Sequence, residues 1–128
     1  MPGAVRGNMQ REQTEEKSLQ VIIGAQLSAV TFVQDYIQLH FDGPRLTVFS
    51  HPVVIRGDQT FHWGKPGFRD ALCSGIAQQV TAARIAYNES ICIAFADGSA
   101  IKISLQDADY LGAEAVSFDT GKDEWWSL

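Results

Sequence analysis

The stretches YIQLHFDGPRLTVFS, residues 36–50, and SICIAFADGSAIKISL, residues 90–105, follow one pattern. Each alternates apolar and polar residues, reaches an Asp-Gly pair, and then alternates again. Alternation with a period of two is typical of a half-buried β-strand. Asp-Gly tolerates the positive φ angles of a tight hairpin turn. The pattern therefore predicts two β-hairpins, which turn at Asp42-Gly43 and at Asp97-Gly98.

The similarity continues on both sides of each hairpin. Gln26-Leu27 and Gln79-Val80 open a preceding strand, so each half of the chain predicts a three-stranded antiparallel meander. After each meander comes a shorter hairpin that ends in tryptophan, within residues 53–63 and within residues 115–126. The sequence thus predicts two tandem units, each with four or five strands.

A short helix is predicted before each meander. Thr14 is a suitable N-cap for the first helix, and Gly24 can end it. Pro66 can start the second helix and Gly75 can end it. The residues expected to point inward are Leu19, Ile22 and Ile23 in the first helix, and Phe68, Leu72 and Ile76 in the second.

These elements predict an α+β fold that is mainly β. We expect two tandem helix-plus-β-meander repeats with pseudo-twofold symmetry, forming a sandwich or a partly closed barrel, because one unit alone leaves an apolar sheet face exposed. The chain of 128 residues suits a single domain, residues 1–128. Within it we expect an N-terminal arm at 1–13, repeat one at 14–65, and repeat two with an acidic end at 66–128.

Composition favours a soluble cytoplasmic protein. No uncharged stretch is apolar enough to span a membrane, and the N-terminus lacks the basic start and apolar core of a secretory signal. Cys73 and Cys92 match no metal or redox spacing. We expect them to be buried free thiols, as is usual in a reducing compartment.

The negative charge is concentrated at one end of the sequence. Residues 106–128 carry six acidic residues and one lysine, a balance that equals the net charge of the whole chain, −5. Such a segment would repel nucleic acids and anionic membranes and attract basic surfaces. The alternative is a solvated acidic end that aids solubility.

This acidic end also holds the pair Trp125-Trp126. We expect the pair either to pack in the core or to anchor an interface that acidic residues surround. The candidate partner face comprises Asp107, Asp109, Glu114, Asp123, Glu124, Trp125 and Trp126.

A second concentration of functional side chains lies in the loop of residues 51–65. Polar, aromatic and titratable residues meet there, and connecting loops often carry function. The alternative is a surface connection whose apolar residues close the core. The candidate ligand loop comprises His51, Arg56, Asp58, His62 and Trp63.

The sequence contains no known catalytic or metal-binding pattern. The three histidines form no zinc motif, and no serine lies in a Gly-x-Ser-x-Gly elbow. Asp107 and Asp109 are followed by Tyr110 and Leu111, where a calcium loop needs further oxygen ligands. We therefore expect no catalytic residues, no metal and no cofactor.

The outer faces of the two meanders differ in side-chain size. In the second meander they carry the small or short residues Ser90, Cys92, Ala94 and Ala100, together with Lys102. Small side chains in the middle of a sheet face suggest that a helix or another subunit packs on them. We therefore expect a homodimer or a covering helix.

The pattern resembles a family of small uncharacterised bacterial proteins. The resemblance rests on residues 19–24 (L-x-x-L-I-G-like), residues 93–98 (L-x-F-x-D-G-like), residues 112–115 (G-P-E-A-like) and a following tryptophan. Ala113 departs from the proline of that family pattern. The resemblance implies this fold and a bacterial cytoplasmic origin, and it brings no activity.

The sequence therefore favours a non-enzymatic protein-binding or regulatory module. An immunity-type protein that covers a basic toxin is one special case, since acidic residues would steer association. The alternatives are a small-molecule-binding protein or an enzyme that uses the loop of residues 51–65, and a structural subunit of a larger assembly.

Overall fold

The computed structural model describes residues 12–128. The predicted N-terminal arm, residues 1–13, lies outside the described residues except for its last two. The described chain is mainly β, with two antiparallel sheets and little helix. No helix in the described range is long and apolar enough to cross a membrane.

The order of elements is similar in the two halves of the chain. In the first half, helix α1 covers residues 12–19 and runs into a 3-10 turn (Gln20–Ile22), followed by β1 (Ala29–Val33), β2 (Tyr36–His40), β3 (Arg45–Val48), β4 (Val53–Arg56) and β5 (Gln59–His62). In the second half, α2 (Phe68–Cys73) is followed by β6 (Val80–Ala86), β7 (Ser90–Phe95), β8 (Ala100–Ser104), a 3-10 turn (Asp107–Asp109), β9 (Val116–Asp119) and β10 (Trp125–Ser127).

Each sheet combines strands from both halves of the chain. Sheet 1 has the order β1-β2-β3-β9-β10, and sheet 2 has the order β5-β4-β8-β7-β6. Each meander is thus extended by the hairpin of the other half. The joining pairs are antiparallel, with Leu46 opposite Phe118 in sheet 1 and Val54 opposite Ile101 in sheet 2. Each sheet keeps its own two edge strands, so the sheets do not close into a barrel.

Alternation along the strands places one face of each sheet in the core. Ile37, Leu39, Ile91 and Ile93 are all fully buried, while the residues between them are partly exposed. The buried side chains of both sheets and both helices form one apolar cluster. Full burial of each such side chain contributes about 1.5–3 kcal/mol, so the hydrophobic pattern is the main determinant of this fold.

The two predicted Asp-Gly turns form by different local means. In the first turn both residues have positive φ angles, 58° at Asp42 and 130° at Gly43. In the second turn Gly98 has φ 86°, and the Asp97 carboxylate accepts hydrogen bonds from the Ser99 backbone N–H (2.9 Å) and hydroxyl (2.6 Å). These bonds, with a smaller contribution from the Arg56 guanidinium, lower the pKa of Asp97 below its ordinary value.

The structure corrects three details of the predicted helices. Helix α1 is already formed at residue 12, so Thr14 is not its N-cap. Ile23 is 44% exposed because the chain becomes extended there (φ −63°, ψ 128°), which ends the helical periodicity. Ile76 is 40% exposed because it follows the end of α2, whose buried positions are Phe68, Ala71 and Leu72.

The two cysteines are free, but they are not both buried as expected. Cys92 is partly buried and Cys73 is exposed. Cys73 is the last residue of α2 and lies off the buried face of that short helix. The expectation of two buried thiols is therefore wrong for Cys73.

Candidate functional site

A polar cleft of about 770 Å³ lies at one end of sheet 2. The β3–β4 loop, strand β5, the ends of β7 and β8, and the loop after β8 all contribute to it. The polar and charged residues that decide its chemistry are Ser50, His51, His62, Glu89, Lys102 and Asp109.

Strand register explains why His62 and Lys102 meet in this cleft. Val53 on β4 lies opposite His62 on β5 and opposite Lys102 on β8. Residues opposite each other in neighbouring strands point to the same face of a sheet. All three side chains therefore stand on the outer face of sheet 2, where His62 and Lys102 are exposed.

The loop after β8 forms the acidic side of the cleft. The Ser104 hydroxyl donates to Asp109 Oδ2 (2.5 Å), and the Gln106 backbone N–H donates to the Ser104 oxygen (3.1 Å). The Leu105 N–H donates to the Glu89 carbonyl (2.9 Å). These bonds hold the Asp109 carboxylate beside the end of β8. In the same loop, burial and the nearby Asp107 carboxylate raise the pKa of Tyr110.

His51 joins the cleft to an aromatic cluster. Its ring stacks on Trp63, with ring centroids 5.1 Å apart and an interplanar angle of 4°. Trp63 meets the edge of Phe68 in α2, with centroids 5.5 Å apart. His51 and Trp63 also line a neighbouring cleft of about 520 Å³, together with Glu114. The stack therefore separates two surface clefts.

The candidate ligand loop is divided between the two ends of the β4–β5 hairpin. His51, His62 and Trp63 lie at the end that borders the clefts. Arg56 and Asp58 lie at the other end, where Arg56 Nη1 is 3.4 Å from Asp97 Oδ2. Arg56 and Asp58 are therefore not beside His51.

The candidate partner face is divided as well. Asp107, Asp109 and Glu114 lie in the loop between β8 and β9, and Asp109 lines the polar cleft. Asp123 and Glu124 lie in the β9–β10 turn, at the opposite end of β9 from Glu114. The acidic residues therefore form two groups.

Trp125 and Trp126 point to opposite faces of sheet 1. Trp126 packs on Phe118, with ring centroids 5.4 Å apart, and is partly buried. Trp125 is 72% exposed and lies opposite Asp119, which in turn lies opposite Arg45. Trp126 therefore contributes to the packing of the core, whereas Trp125 lies on the surface.

Strand β10 forms an open edge of sheet 1. Val116 and Leu128 exchange backbone hydrogen bonds, and the Thr120 N–H donates to the Glu124 carbonyl. Hydrogen-bonded and non-hydrogen-bonded pairs alternate in an antiparallel ladder. The N–H and C=O groups of Trp125 and Ser127 therefore point away from β9. Within residues 12–128, β10 pairs with β9 alone.

The β9–β10 turn holds this edge in a fixed position. The Gly121 N–H donates to Asp119 Oδ1 (2.7 Å), and the Lys122 N–H donates to the Thr120 hydroxyl oxygen (3.2 Å). A Cβ added at Gly121 would lie 3.3 Å from the backbone of Gly43, so the β2–β3 turn lies directly beside it. Asp42, in the β2–β3 turn, therefore lies near the acidic residues of the β9–β10 turn.

The outer face of sheet 2 carries a row of apolar side chains that includes two of the small residues indicated by the sequence, Ala94 and Ala100. Ala82, Ala94, Ala100 and Ile55 stand in one row across four strands, and all are partly exposed.

Sequence reasoning missed most of the residues that line the polar cleft. Ser50, Glu89, Ser90, Lys102 and Ser104 were not candidate ligand residues, yet they line it. The pairing of β4 with β8 brings the loop of residues 51–65 beside Lys102, although the two are distant in sequence. Within residues 12–128 no group of three or more histidine, cysteine, aspartate or glutamate side chains could hold a metal ion.

The comparisons with known proteins add no relative to this description. No protein-family model matches the chain, no curated protein matches it, and no solved structure matches it.

Proposed function

We propose that the protein is a non-enzymatic protein-binding module whose edge strand β10 accepts an extended, basic segment of a partner. The observation that carries this proposal is the outward-facing N–H and C=O groups of Trp125 and Ser127. An extended peptide can add to such an edge and satisfy those groups, as in other cases of β-strand addition.

The charge around the edge supports a basic partner. The acidic side chains of this end are Asp42, Asp119, Asp123 and Glu124, and the basic ones are Arg45 and Lys122. The Arg45 guanidinium lies 3.8 Å from the Asp119 carboxylate and neutralises its charge. The other acidic side chains still outnumber Lys122. Electrostatic complementarity of this kind mainly raises the association rate and selects the partner.

Trp125 is the expected anchor of the interaction. Tryptophan is enriched among the few residues that contribute most of the binding energy of an interface. Its ring is 72% exposed on the outer face beside the open edge. A partner strand paired with β10 would place its side chains next to this ring.

The experiment is an NMR titration with a short peptide of alternating lysine and valine. We expect the largest amide shifts in β10 and in the β9–β10 turn. The peptide of alternating glutamate and valine has the same strand preference and the opposite charge, and it should bind at least about 10-fold more weakly.

Two double variants provide a matched test of the location. Asp123→Asn with Glu124→Gln removes two charges beside the edge, and Asp107→Asn with Glu114→Gln removes two charges from the other acidic group. We expect the first pair alone to weaken binding of the lysine–valine peptide. If both double variants weaken peptide binding equally, the effect is a non-specific one of charge and the proposed edge site is wrong.

We also propose that the protein self-associates. The row Ile55, Ala82, Ala94 and Ala100 is apolar and partly exposed, which supports a homodimer through the outer face of sheet 2. Light scattering at micromolar concentration tests it, and a mass of one chain would remove it. An immunity-type role, in the bacterial cytoplasm, is the special case in which the basic partner is a toxin.

We further propose that the fold is a duplicated unit whose two sheets form a sandwich, within a single domain of residues 1–128. The Leu27 N–H donates to the Gln78 carbonyl, and the Val80 N–H donates to the Ala25 carbonyl. Adding 53 to the number of the first-half residue and subtracting 53 from the number of the second-half residue converts one bond into the other. The same holds for Gly24 N–H to Val80 and Ala77 N–H to Leu27. These paired bonds, with the single core cluster, support the proposal.

A further inference from the structure

The polar cleft contains opposite charges that do not neutralise each other. Lys102, Glu89 and Asp109 all line it. Within residues 12–128 the ion pairs are Arg45–Asp119 and Arg56–Asp97, and none of these three cleft residues takes part in them. The cleft therefore presents one ammonium group and two carboxylates to whatever enters it.

Strand geometry keeps the positive and negative groups close. Lys102 and Ser104 are two residues apart on β8 and point to the same face, so their Cα atoms are about 7 Å apart. Asp109 is fixed on the Ser104 hydroxyl at 2.5 Å. A molecule lying over Ser104 can thus contact the ammonium of Lys102 at one end and the carboxylate of Asp109 at the other.

Ser50 is a buried polar residue in the wall of the cleft. It lines the cleft and is 3% exposed, yet its hydroxyl has no hydrogen-bond partner among the described residues. A buried polar group without a hydrogen-bond partner lowers the stability of the fold. A ligand group that reaches this hydroxyl would remove that loss of stability.

We propose that the cleft binds a small zwitterion, of the class of free α-amino acids with an apolar side chain. The ligand carboxylate lies toward Lys102 and His62, and its ammonium lies toward Asp109 and Glu89. Leu111, Val53 and Ala108 line the cleft with apolar surface that suits the side chain. This site shares no residue with the β10 edge, so the two proposals fail separately.

The experiment is an NMR titration of the full chain with leucine, 3-methylbutylamine and 4-methylpentanoate. The amine lacks the carboxylate of leucine, and the acid lacks its ammonium. We expect saturable shifts at the cleft residues with leucine, and an affinity for the amine and for the acid that is at least about 10-fold weaker. Absence of cleft shifts with leucine overturns the proposal. Equal binding of the acid or of the amine overturns it too, because a single charge would then suffice.

Two substitutions localise the binding. Lys102→Gln is expected to lower the affinity for leucine at least about 10-fold, because it removes the ammonium group that faces the ligand carboxylate. For the same reason it should not raise the affinity for 4-methylpentanoate. Lys122→Gln removes the same charge outside the cleft and is expected to leave leucine binding unchanged. If the two variants weaken binding equally, the effect belongs to net charge and the proposed site is wrong.

Discussion

The hydroxyl of Tyr87 lies 2.9 Å from Oε1 of Glu15 and 2.9 Å from the carbonyl oxygen of Glu12. Glu15 is only 6% exposed, so a carboxylate of helix α1 depends on a tyrosine that follows β6. This contact joins the first half of the chain to the second. It attaches α1 near residue 12, where the helix is already formed.

Tyr87→Phe is expected to destabilise the fold. It removes the donor to Glu15 and leaves a buried carboxylate without this bond, which costs about 1–3 kcal/mol. Chemical denaturation measures the change in the free energy of unfolding. Tyr36→Phe is the matched control, because the Tyr36 hydroxyl has no hydrogen bond among the described contacts. Equal losses in the two variants would contradict the assigned role of Tyr87.

The same contact predicts alkaline sensitivity. Burial, and then the hydrogen bond and charge of Glu15, raise the pKa of Tyr87 above its ordinary value of 10.0. Because the folded state holds the proton more tightly, its stabilising contribution is complete below pH 10.0 and is lost as the pH rises toward the raised pKa. The free energy of unfolding should therefore fall above pH 10.0 more steeply in the native protein than in Tyr87→Phe. Parallel curves would refute this.

Asp97→Asn is expected to reduce stability at neutral pH by about 1 kcal/mol, through weaker bonds to Ser99. The pKa of Asp97 is lowered in the folded state, so its contribution is present above the ordinary value of 3.8 and is lost as the pH falls through the folded value. The native protein and the variant should therefore converge in stability at acid pH. Asp42→Asn, in the other Asp-Gly turn, is the control, and a constant difference for Asp97→Asn at all pH values would be evidence against the linkage.

Gly121→Ala is expected to destabilise the chain more than Gly98→Ala. Both glycines have positive φ angles, 81° and 86°, so both variants share the backbone cost. A Cβ at Gly121 meets the backbone of Gly43 at 3.3 Å, whereas a Cβ at Gly98 meets nothing within 4 Å. The steric difference is about 1 kcal/mol. Thermal unfolding of the two variants checks the order, and the reverse order would show that the two turns are not in contact.

The hairpins could be predicted from sequence because their information is local. Alternation and the pairs Asp42-Gly43 and Asp97-Gly98 determine strand, turn and buried face within about 15 residues. The exchange of hairpins between the sheets could not be predicted, because the pairing of Leu46 with Phe118 depends on the packing of distant segments. For the same reason the sequence did not indicate that Lys102 lies beside His62 in the cleft.

The residues of the candidate partner face lie in two separate groups for a geometric reason. Asp107 and Asp123 are close in sequence and similar in charge, but strand β9 separates their loops. The division of Trp125 and Trp126 between the two faces follows from the two-residue period of a strand. That assignment requires β10 to be a strand, and the sequence indicated this through a hairpin pattern alone.

The account rests most directly on the outward-facing N–H group of Ser127. Ser127→Pro removes this donor, and proline is tolerated on an edge strand where its nitrogen faces solvent. Ser127→Ala removes the side chain and keeps the donor. The decisive measurement is the affinity of both variants for the lysine–valine peptide, after thermal unfolding has shown that both fold.

We predict that Ser127→Ala binds as the native protein does and that Ser127→Pro binds at least about 10-fold more weakly, because the partner strand loses its bond to β10. Equal affinity of the two folded variants would contradict strand addition at β10 and with it the proposed function.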